Sequence, residues 1–229
     1  EKFKKEGLLQ HQYVNFPLEH IELIKETIER DSTLLGLNVT IPYKQKVLRF
    51  LDEQDEIAQK IGAVNTIKID RTEGRVKLKG YNTDAYGFYH SLQPYLKKQH
   101  DNAIILGTGG SSRAVAYALN ELDIHFIYVS RNPKDKNQLS YSDLCGPVLS
   151  NFRIIINTSP VGMYPNIQNA PDIPYEFISK DHILYDLIYN PEETLFLKKG
   201  KETGAQIING LSMLHLQAER SWEIWNSVN

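Results

Sequence analysis

Ala103-Ile104-Ile105-Leu106-Gly107-Thr108-Gly109-Gly110-Ser111-Ser112-Arg113-Ala114 is the stretch on which the reading of the fold turns. A short apolar run enters a glycine-rich turn, and the residues after it, 112–122, have helical character. A tight turn that brings bare backbone N–H groups to the start of a helix suits a pyrophosphate, because a bulky Cβ there would hold the phosphates away. Other phosphate ligands and plain turns use the same pattern. Strand and helix then alternate: strands over 124–129, 153–156, 183–187 and 205–208, with a helix over 192–201. That alternation predicts an α/β architecture whose nucleotide domain is a Rossmann-type, doubly wound parallel sheet with helices on both faces.

The first third of the chain has a different rhythm. Leu18, Ile21, Ile24 and Ile28 recur at helical spacing, and 36–41 reads as a strand. Pro42 sits where a first helical turn tolerates it, with Val47, Leu48 and Leu51 continuing a helix. A helix over 55–61 stops at Gly62, and the alternating stretches 63–69 and 75–79 form a hairpin around 70–74. A last helix over 211–225 carries Leu211, Leu214, Ala218 and Trp222. The expected division is a nucleotide domain at 85–208 and a discontinuous α/β substrate domain made of 1–84 and 209–229, with a cleft between them.

Composition narrows the class. With 26 basic and 28 acidic residues the net charge is -2, which points to neither a nucleic acid nor a membrane surface as partner. No apolar stretch approaches the roughly 20 residues of a membrane span, and Glu1-Lys2-Phe3-Lys4-Lys5 begins no signal peptide. The single cysteine, Cys145, is expected to be an inert, semi-buried thiol and fits a reducing compartment, so the cytoplasm is expected. No His/Cys/Asp cluster has metal-ligand spacing, and no metal is expected.

Three polar segments interrupt apolar sequence: Asn38-Val39-Thr40-Ile41-Pro42-Tyr43-Lys44, Gly62-Ala63-Val64-Asn65-Thr66 and Gly80-Tyr81-Asn82-Thr83-Asp84. Together they supply a cation, an anion, amides and hydroxyls, and beside a dinucleotide-type turn they suggest redox chemistry on a small polyhydroxylated molecule. A ketone that accepts hydride becomes an alkoxide and needs a proton. Lys44 is the candidate donor. At a helix start, the helix dipole and desolvation both favour the neutral amine, whereas a carboxylate such as Asp84 favours the ammonium. Asp84 is equally suited to cap a helix beginning at Ala85. Asn65 is unusual inside a strand of β-branched neighbours and leans toward function. The strand at 124–129 ends in Ser130-Arg131-Asn132, followed by Pro133-Lys134, with no acidic residue for a ribose diol. Arg131 could stack on adenine and meet a 2′-phosphate, with Ser130 and Lys134 assisting, which favours NADP over NAD. A solvated surface arginine would look the same in sequence.

The segments NVTIPYK (38–44), GAVNT (62–66), GYNTD (80–84), GTGGSSRA (107–114), NTSPVGMYP (157–165) and NGLSMLHLQA (209–218) carry a resemblance, in that order, to the shikimate dehydrogenase family. The resemblance implies reversible NADPH-dependent reduction of 3-dehydroshikimate to shikimate, in aromatic amino-acid biosynthesis. It gives Lys44 the proton transfer and Asp84 a substrate hydroxyl beside it. Thr40, Asn65, Tyr189 and Gln217 match positions that hold substrate hydroxyls or carboxylate. Gly107, Gly109, Gly110, Ser111, Ser130, Arg131, Asn132, Lys134, Thr158, Leu187, Gly210 and Glu56 match positions near NADP(H). Taken alone, Thr40 and Tyr189 would pass as structural residues, Gln217 as solvent-facing and His215 as a surface histidine.

The sequence departs from the family in two places. The Asn-Arg-Thr motif reads Ser-Arg-Asn here, with the second arginine falling near Lys134-Asp135. A strand and a Ser-x-Ser carboxylate motif that the family places ahead of the first helix have no counterpart, so a shortened start is expected. Quinate or dual specificity, with NAD an option, and a non-catalytic ligand-binding relative are the alternative readings.

Overall fold

The computed structural model describes residues 2–134 and 136–227; Glu1, Asp135, Val228 and Asn229 lie outside the described residues, and with Asp135 goes part of the expected second-arginine position. The chain separates into two units, Glu1–Leu34 and Leu35–Asn229. In the first unit, α1 spans Lys2–Lys5 and α2 spans Ile24–Arg30, the latter entered through a 3-10 turn at Ile21–Leu23. Ile21, Ile24 and Ile28 are its buried residues, as their spacing predicts.

The second unit contains two sheets. The smaller is built from β1 (Gly36–Asn38), β2 (Glu53–Gln54), β3 (Thr66–Asp70) and β4 (Lys77–Tyr81), in the order β1-β3-β4-β2. β3 and β4 form the expected hairpin, with Ile67 opposite Gly80, and β1 runs antiparallel to β3. Between β2 and β3 lies α3 (Glu56–Ile61), which is capped by the Asp55 carboxylate accepting from Ala58 N–H and ends at Gly62.

α4 (Asp84–Leu92) leads from β4 to the larger sheet. Its elements are β5 (Asn102–Leu106), α5 (Gly110–Glu121), β6 (His125–Val129), β7 (Gln138–Leu139), α6 (Gly146–Asn151), β8 (Ile154–Asn157), β9 (Ile183–Asp186), α7 (Leu195–Glu202) and β10 (Gln206–Ile208). α8 (Leu211–Asn226) closes the chain. The strand order is β10-β9-β8-β5-β6-β7 and every pairing is parallel. Strands β8 and β9 are buried at every position because helices cover both faces. Alternation within β5 makes this concrete. Ile105 joins a core with Phe88, Leu119 and Tyr185, while Ile104 and Leu106 join another with Leu149, Leu184 and Phe196. The chain leaves β5 outward to β6 and β7, then returns to β8 on its other side. That reversal opens a crevice at the carboxyl ends of β5 and β8, where doubly wound sheets bind ligands.

Several local expectations are corrected. No α-helix starts at Pro42. Tyr43 N–H donates to the Thr40 carbonyl in a turn that contains a cis Ile41–Pro42 peptide, and a 3-10 helix follows at Lys46–Phe50. Long-range pairing contributes to the difference: Val39 N–H donates to the Asn65 carbonyl and Val64 N–H to the Lys44 carbonyl, so the segment is laced to its neighbour as well as to itself. Asn65 lies just ahead of β3, not inside a strand. The helix expected over 192–201 begins at Leu195, because Thr194 caps it by accepting from Leu197 N–H. On α8 the buried residues are Met213, Ser221 and Ile224, whereas Leu211 and Ala218 are exposed. Cys145 is exposed rather than semi-buried. Among the described residues, no helix is long and apolar enough to cross a membrane.

Candidate active site

Backbone pairing brings the three polar segments together. Besides the Val39 and Val64 bonds, Asn65 N–H donates to the Tyr81 carbonyl, and Asn82 Nδ2 donates to the Ala63 carbonyl. Lys44 and Asp84, forty positions apart, consequently meet, with Lys44 Nζ 2.6 Å from Asp84 Oδ2. The lysine side chain is 13% exposed and the aspartate 2%, so the pair is buried on the aspartate side and open to a ligand on the lysine side. Lys44 sits in a turn rather than at the start of an α-helix of its own, and Asp84 is the carboxylate that faces it. Asp84 does not cap α4. Ala85 N–H donates instead to Asn82 Oδ1 at 3.2 Å, which leaves the aspartate for the lysine.

Asn65 holds the other carboxylate oxygen. Its Nδ2 donates to Asp84 Oδ1 at 2.9 Å and also lies 3.0 Å from both Gln217 Oε1 and Thr83 Oγ1. Its Oδ1 accepts from Thr83 N–H at 2.7 Å. An amide has two N–H groups, so these three acceptors share them. Gln217 is therefore turned into the cluster and not toward solvent.

Behind this layer, Ser221 Oγ lies 2.8 Å from Thr66 Oγ1 and 3.2 Å from Thr83 Oγ1, and it accepts from Asn38 Nδ2 at 3.1 Å. Gln217 and Ser221 are one helical turn apart, so α8 presents a polar stripe to this cluster. That is why its apolar pattern misled. Among the described residues, no buried side-chain nitrogen or oxygen lacks a hydrogen-bond partner, as a rigid polar site requires. Thr40 and Tyr189 stand exposed and are not tied into the cluster; His215 is also exposed.

The glycine turn adjoins this pair. Gly107 has φ +110°, in the left-handed region, and a Cβ there would also press on Thr158 Oγ1 at 3.0 Å. In front of Gly109 the space for a Cβ is open, and a Cβ on Gly110 would lie 3.6 Å from Lys44 Cβ. The start of α5 is thus an open cradle of backbone N–H groups beside the lysine, which fits a pyrophosphate. Ser111 is half-buried on the first turn, and Ser112 Oγ donates to the Gly109 carbonyl.

Thr158 follows β8, and both its N–H and its Oγ1–H donate to the Leu106 carbonyl, which holds it against the turn. Gly107 N–H donates to the Val129 carbonyl, placing the end of β6 alongside. There Ser130 Oγ accepts from Asn132 N–H, while Arg131, Asn132 and Lys134 are exposed. Gly210 N–H donates to the Ile188 carbonyl, and a Cβ on Gly210 would overlap the Leu187 carbonyl, so only glycine fits. Glu56 is exposed on the first turn of α3, which packs on α5.

Sequence reasoning missed Ser221, and it gave no individual role to Asn38, Thr66 and Thr83, which stand in the polar segments it singled out. It also missed a buried group at the sheet's carboxyl edge: Asp186, at the end of β9, accepts from Asn157 Nδ2, Ile188 N–H and Thr194 Oγ1–H. Burial pushes its carboxyl up to about 6, against the pull of those donors. The only mark in sequence was an acidic residue closing an apolar run.

Residues 1–67 match the family described as the shikimate dehydrogenase substrate binding domain. The chain is 41% identical over 239 residues to the shikimate dehydrogenase (NADP(+)) of Methanococcus aeolicus, covering 98% of this chain and 84% of that one. A chorismate mutase/shikimate 5-dehydrogenase fusion protein from Clostridium acetobutylicum superposes with a TM-score of 0.83 at 37% identity, covering 100% of this chain and 84% of the other. Shikimate 5-dehydrogenase from Thermus thermophilus, solved with NADP(H) and shikimate, gives 0.77 at 30% identity, covering 93% and 80%. With this glycine turn, this lysine-aspartate pair and likeness over most of its length, the chain belongs to the shikimate dehydrogenase family.

Proposed function

We propose that the protein catalyses the reversible, NADPH-dependent reduction of 3-dehydroshikimate to shikimate, a step in aromatic amino-acid biosynthesis. The observation that carries this reading is the adjacency of a shielded Lys44–Asp84 pair, 2.6 Å apart, to the open turn at the start of α5. When bound, NADPH supplies the hydride. Lys44 gives its proton to the carbonyl oxygen as that oxygen gains charge, and takes it back in the oxidation direction. Asp84 holds the lysine in place, and Asn65 fixes the carboxylate from its other side. Asp84, Asn65, Gln217, Thr40 and Tyr189 hold the substrate's hydroxyls and carboxylate. A site built on such groups rejects ligands that leave them unpaired.

Gly107, Gly109, Gly110 and Ser111 would hold the pyrophosphate. Arg131, with Ser130, Asn132 and Lys134, would meet the 2′-phosphate. Thr158, Leu187, Gly210 and Glu56 would line the remainder. In this reading residues 1–84 and 209–229 carry the substrate and 85–208 the nucleotide. A lone cysteine fits a cytoplasmic location.

The test offers shikimate and quinate, each with NADP and with NAD, and follows formation of reduced cofactor. Turnover with shikimate and NADP is expected. Turnover of both acids would move the substrate assignment to the dual-specificity alternative, turnover confined to quinate to a quinate-using relative, and silence in all four mixtures would leave a ligand-binding relative.

A further inference from the structure

We propose that Asp186 is a positioning residue for this reaction: it fastens together the two loops against which the cofactor's reacting half is aligned, without touching cofactor or substrate itself. The inference rests on the function proposed above.

Asp186 is fully buried at the carboxyl end of β9, and its backbone neighbour across the sheet is Asn157 at the end of β8. Its Oδ1 accepts from Asn157 Nδ2 and from Ile188 N–H, both at 3.1 Å, and its Oδ2 accepts from Thr194 Oγ1–H at 2.6 Å. The carboxylate therefore grips the loop after β9 near both ends, at Ile188 and at Thr194. Through Asn157 it also grips the loop after β8. Asn157 Oδ1 accepts from Ser159 N–H and Oγ–H, and Asn157 Nδ2 donates to the Val161 carbonyl.

These loops hold residues assigned to the cofactor. Thr158 lies in the first, and Leu187 opens the second with its N–H donating to the Asn157 carbonyl. Ile188 accepts from Gly210 N–H, immediately before α8, the helix that carries Gln217 to the Lys44 cluster. One buried side chain thus links β8, β9 and the start of α8. The three donors, two side chains and one backbone N–H, are neutral, so nothing repays the burial of a charge by ion pairing. A neutral amide or hydroxyl could hold one loop. Only a carboxylate, with acceptor sites on both oxygens and no proton of its own, takes all three donors at once.

The test uses the full chain and the substitutions Asp186→Asn, Thr194→Val and Thr194→Ser. Asp186→Asn turns one acceptor into an N–H group facing a donor; Thr194→Val removes one bond at nearly constant volume; Thr194→Ser keeps it. For the first two, amide exchange over 158–161 and 187–194 should quicken about tenfold or more while β5 stays protected. The NADP dissociation constant measured by calorimetry should rise, and kcat should fall about 10- to 100-fold, the scale of a misplacement near 1 Å, with the KM for shikimate held within about twofold. Thr194→Ser should stay close to wild type in all readouts. Unchanged exchange in the two loops, or quickened exchange with wild-type NADP affinity and kcat, would overturn the proposal. Should Asp186→Asn fail to fold, Thr194→Val decides by the same readouts. A wild-type protein inactive on shikimate would sink the proposed function, while exchange and NADP calorimetry would still decide the role of Asp186.

Discussion

Replacing Lys44 by methionine separates its chemical role from its structural one. The substitution keeps the length of the side chain and removes the ammonium that sits 2.6 Å from Asp84 Oδ2. Loss of a positioned proton donor costs about 10²- to 10⁴-fold in kcat, equivalent to about 3–5 kcal/mol on the barrier. NADP affinity should change little, because the turn at Gly107–Gly110 is left whole. Stability should fall as well, since Asp84, 2% exposed, keeps a charge with Asn65 on one oxygen and no cation on the other. Breaking a buried pair costs about 3–5 kcal/mol, and the partial exposure of Lys44 puts this case at the lower end, about 3 kcal/mol. Adding Asp84→Asn removes the stranded charge, so the double variant should recover about 2 kcal/mol over Lys44→Met alone. Urea denaturation of the four proteins closes the cycle, and initial rates in both directions measure the kinetic loss. A Lys44→Met protein with kcat within about threefold of wild type would refute the proton-transfer role. A double variant no more stable than the single one would refute the charge-pair argument.

Other consequences follow from named groups. Asp186, raised by burial from 3.8 to about 6, binds its proton more tightly in the folded protein than in the unfolded chain. The associated stability is fully present below about pH 4 and is lost as pH rises through 6, a swing of about 3 kcal/mol. The titratable Tyr175 that faces it is itself raised, so it stays neutral across this window. The stability difference between wild type and Asp186→Asn, measured by urea unfolding from about pH 4 to pH 7, should shift by that amount, whereas a pH-independent difference would contradict the burial argument. Arg131→Ala should weaken NADP by about 10- to 100-fold and leave NAD nearly unchanged, as expected for a charged hydrogen bond to a 2′-phosphate; equal losses for both cofactors would refute that contact. Asn65→Ala leaves Asp84 Oδ1, Gln217 Oε1 and Thr83 N–H each short of a partner, and should cost about 2–4 kcal/mol of stability together with most of the turnover. A variant as stable as wild type would show that water replaces the amide.

The parallel sheet could be read from the sequence because its strands are buried on both faces. Such strands become short unbroken apolar runs, as at 103–106 and 154–156, and the glycine turn after the first of them orders the rest. The ends of α3 were equally legible, since Asp55 and Gly62 act on their own neighbours. The two-residue strands β2 and β7 were invisible, being too short to carry a period. The residues from Pro42 to Leu51 were misread because the turn at Thr40–Tyr43 and the bond from Val64 N–H to the Lys44 carbonyl outweigh local helical preference. The face of α8 was misread because periodicity reports only apolar contact, and this helix packs Gln217 and Ser221 against amides and hydroxyls.

The same limit governs the site. Its residue types stood in the sequence, and family resemblance paired Lys44 with Asp84, but spacing could not. Only the tertiary structure decided that Asn65 bridges Asp84 and Gln217, that Asn82 rather than Asp84 accepts from Ala85 N–H at the start of α4, and that Asp186 lies buried among three neutral donors. A buried polar side chain is defined by its partners, and those partners lie far away along the chain.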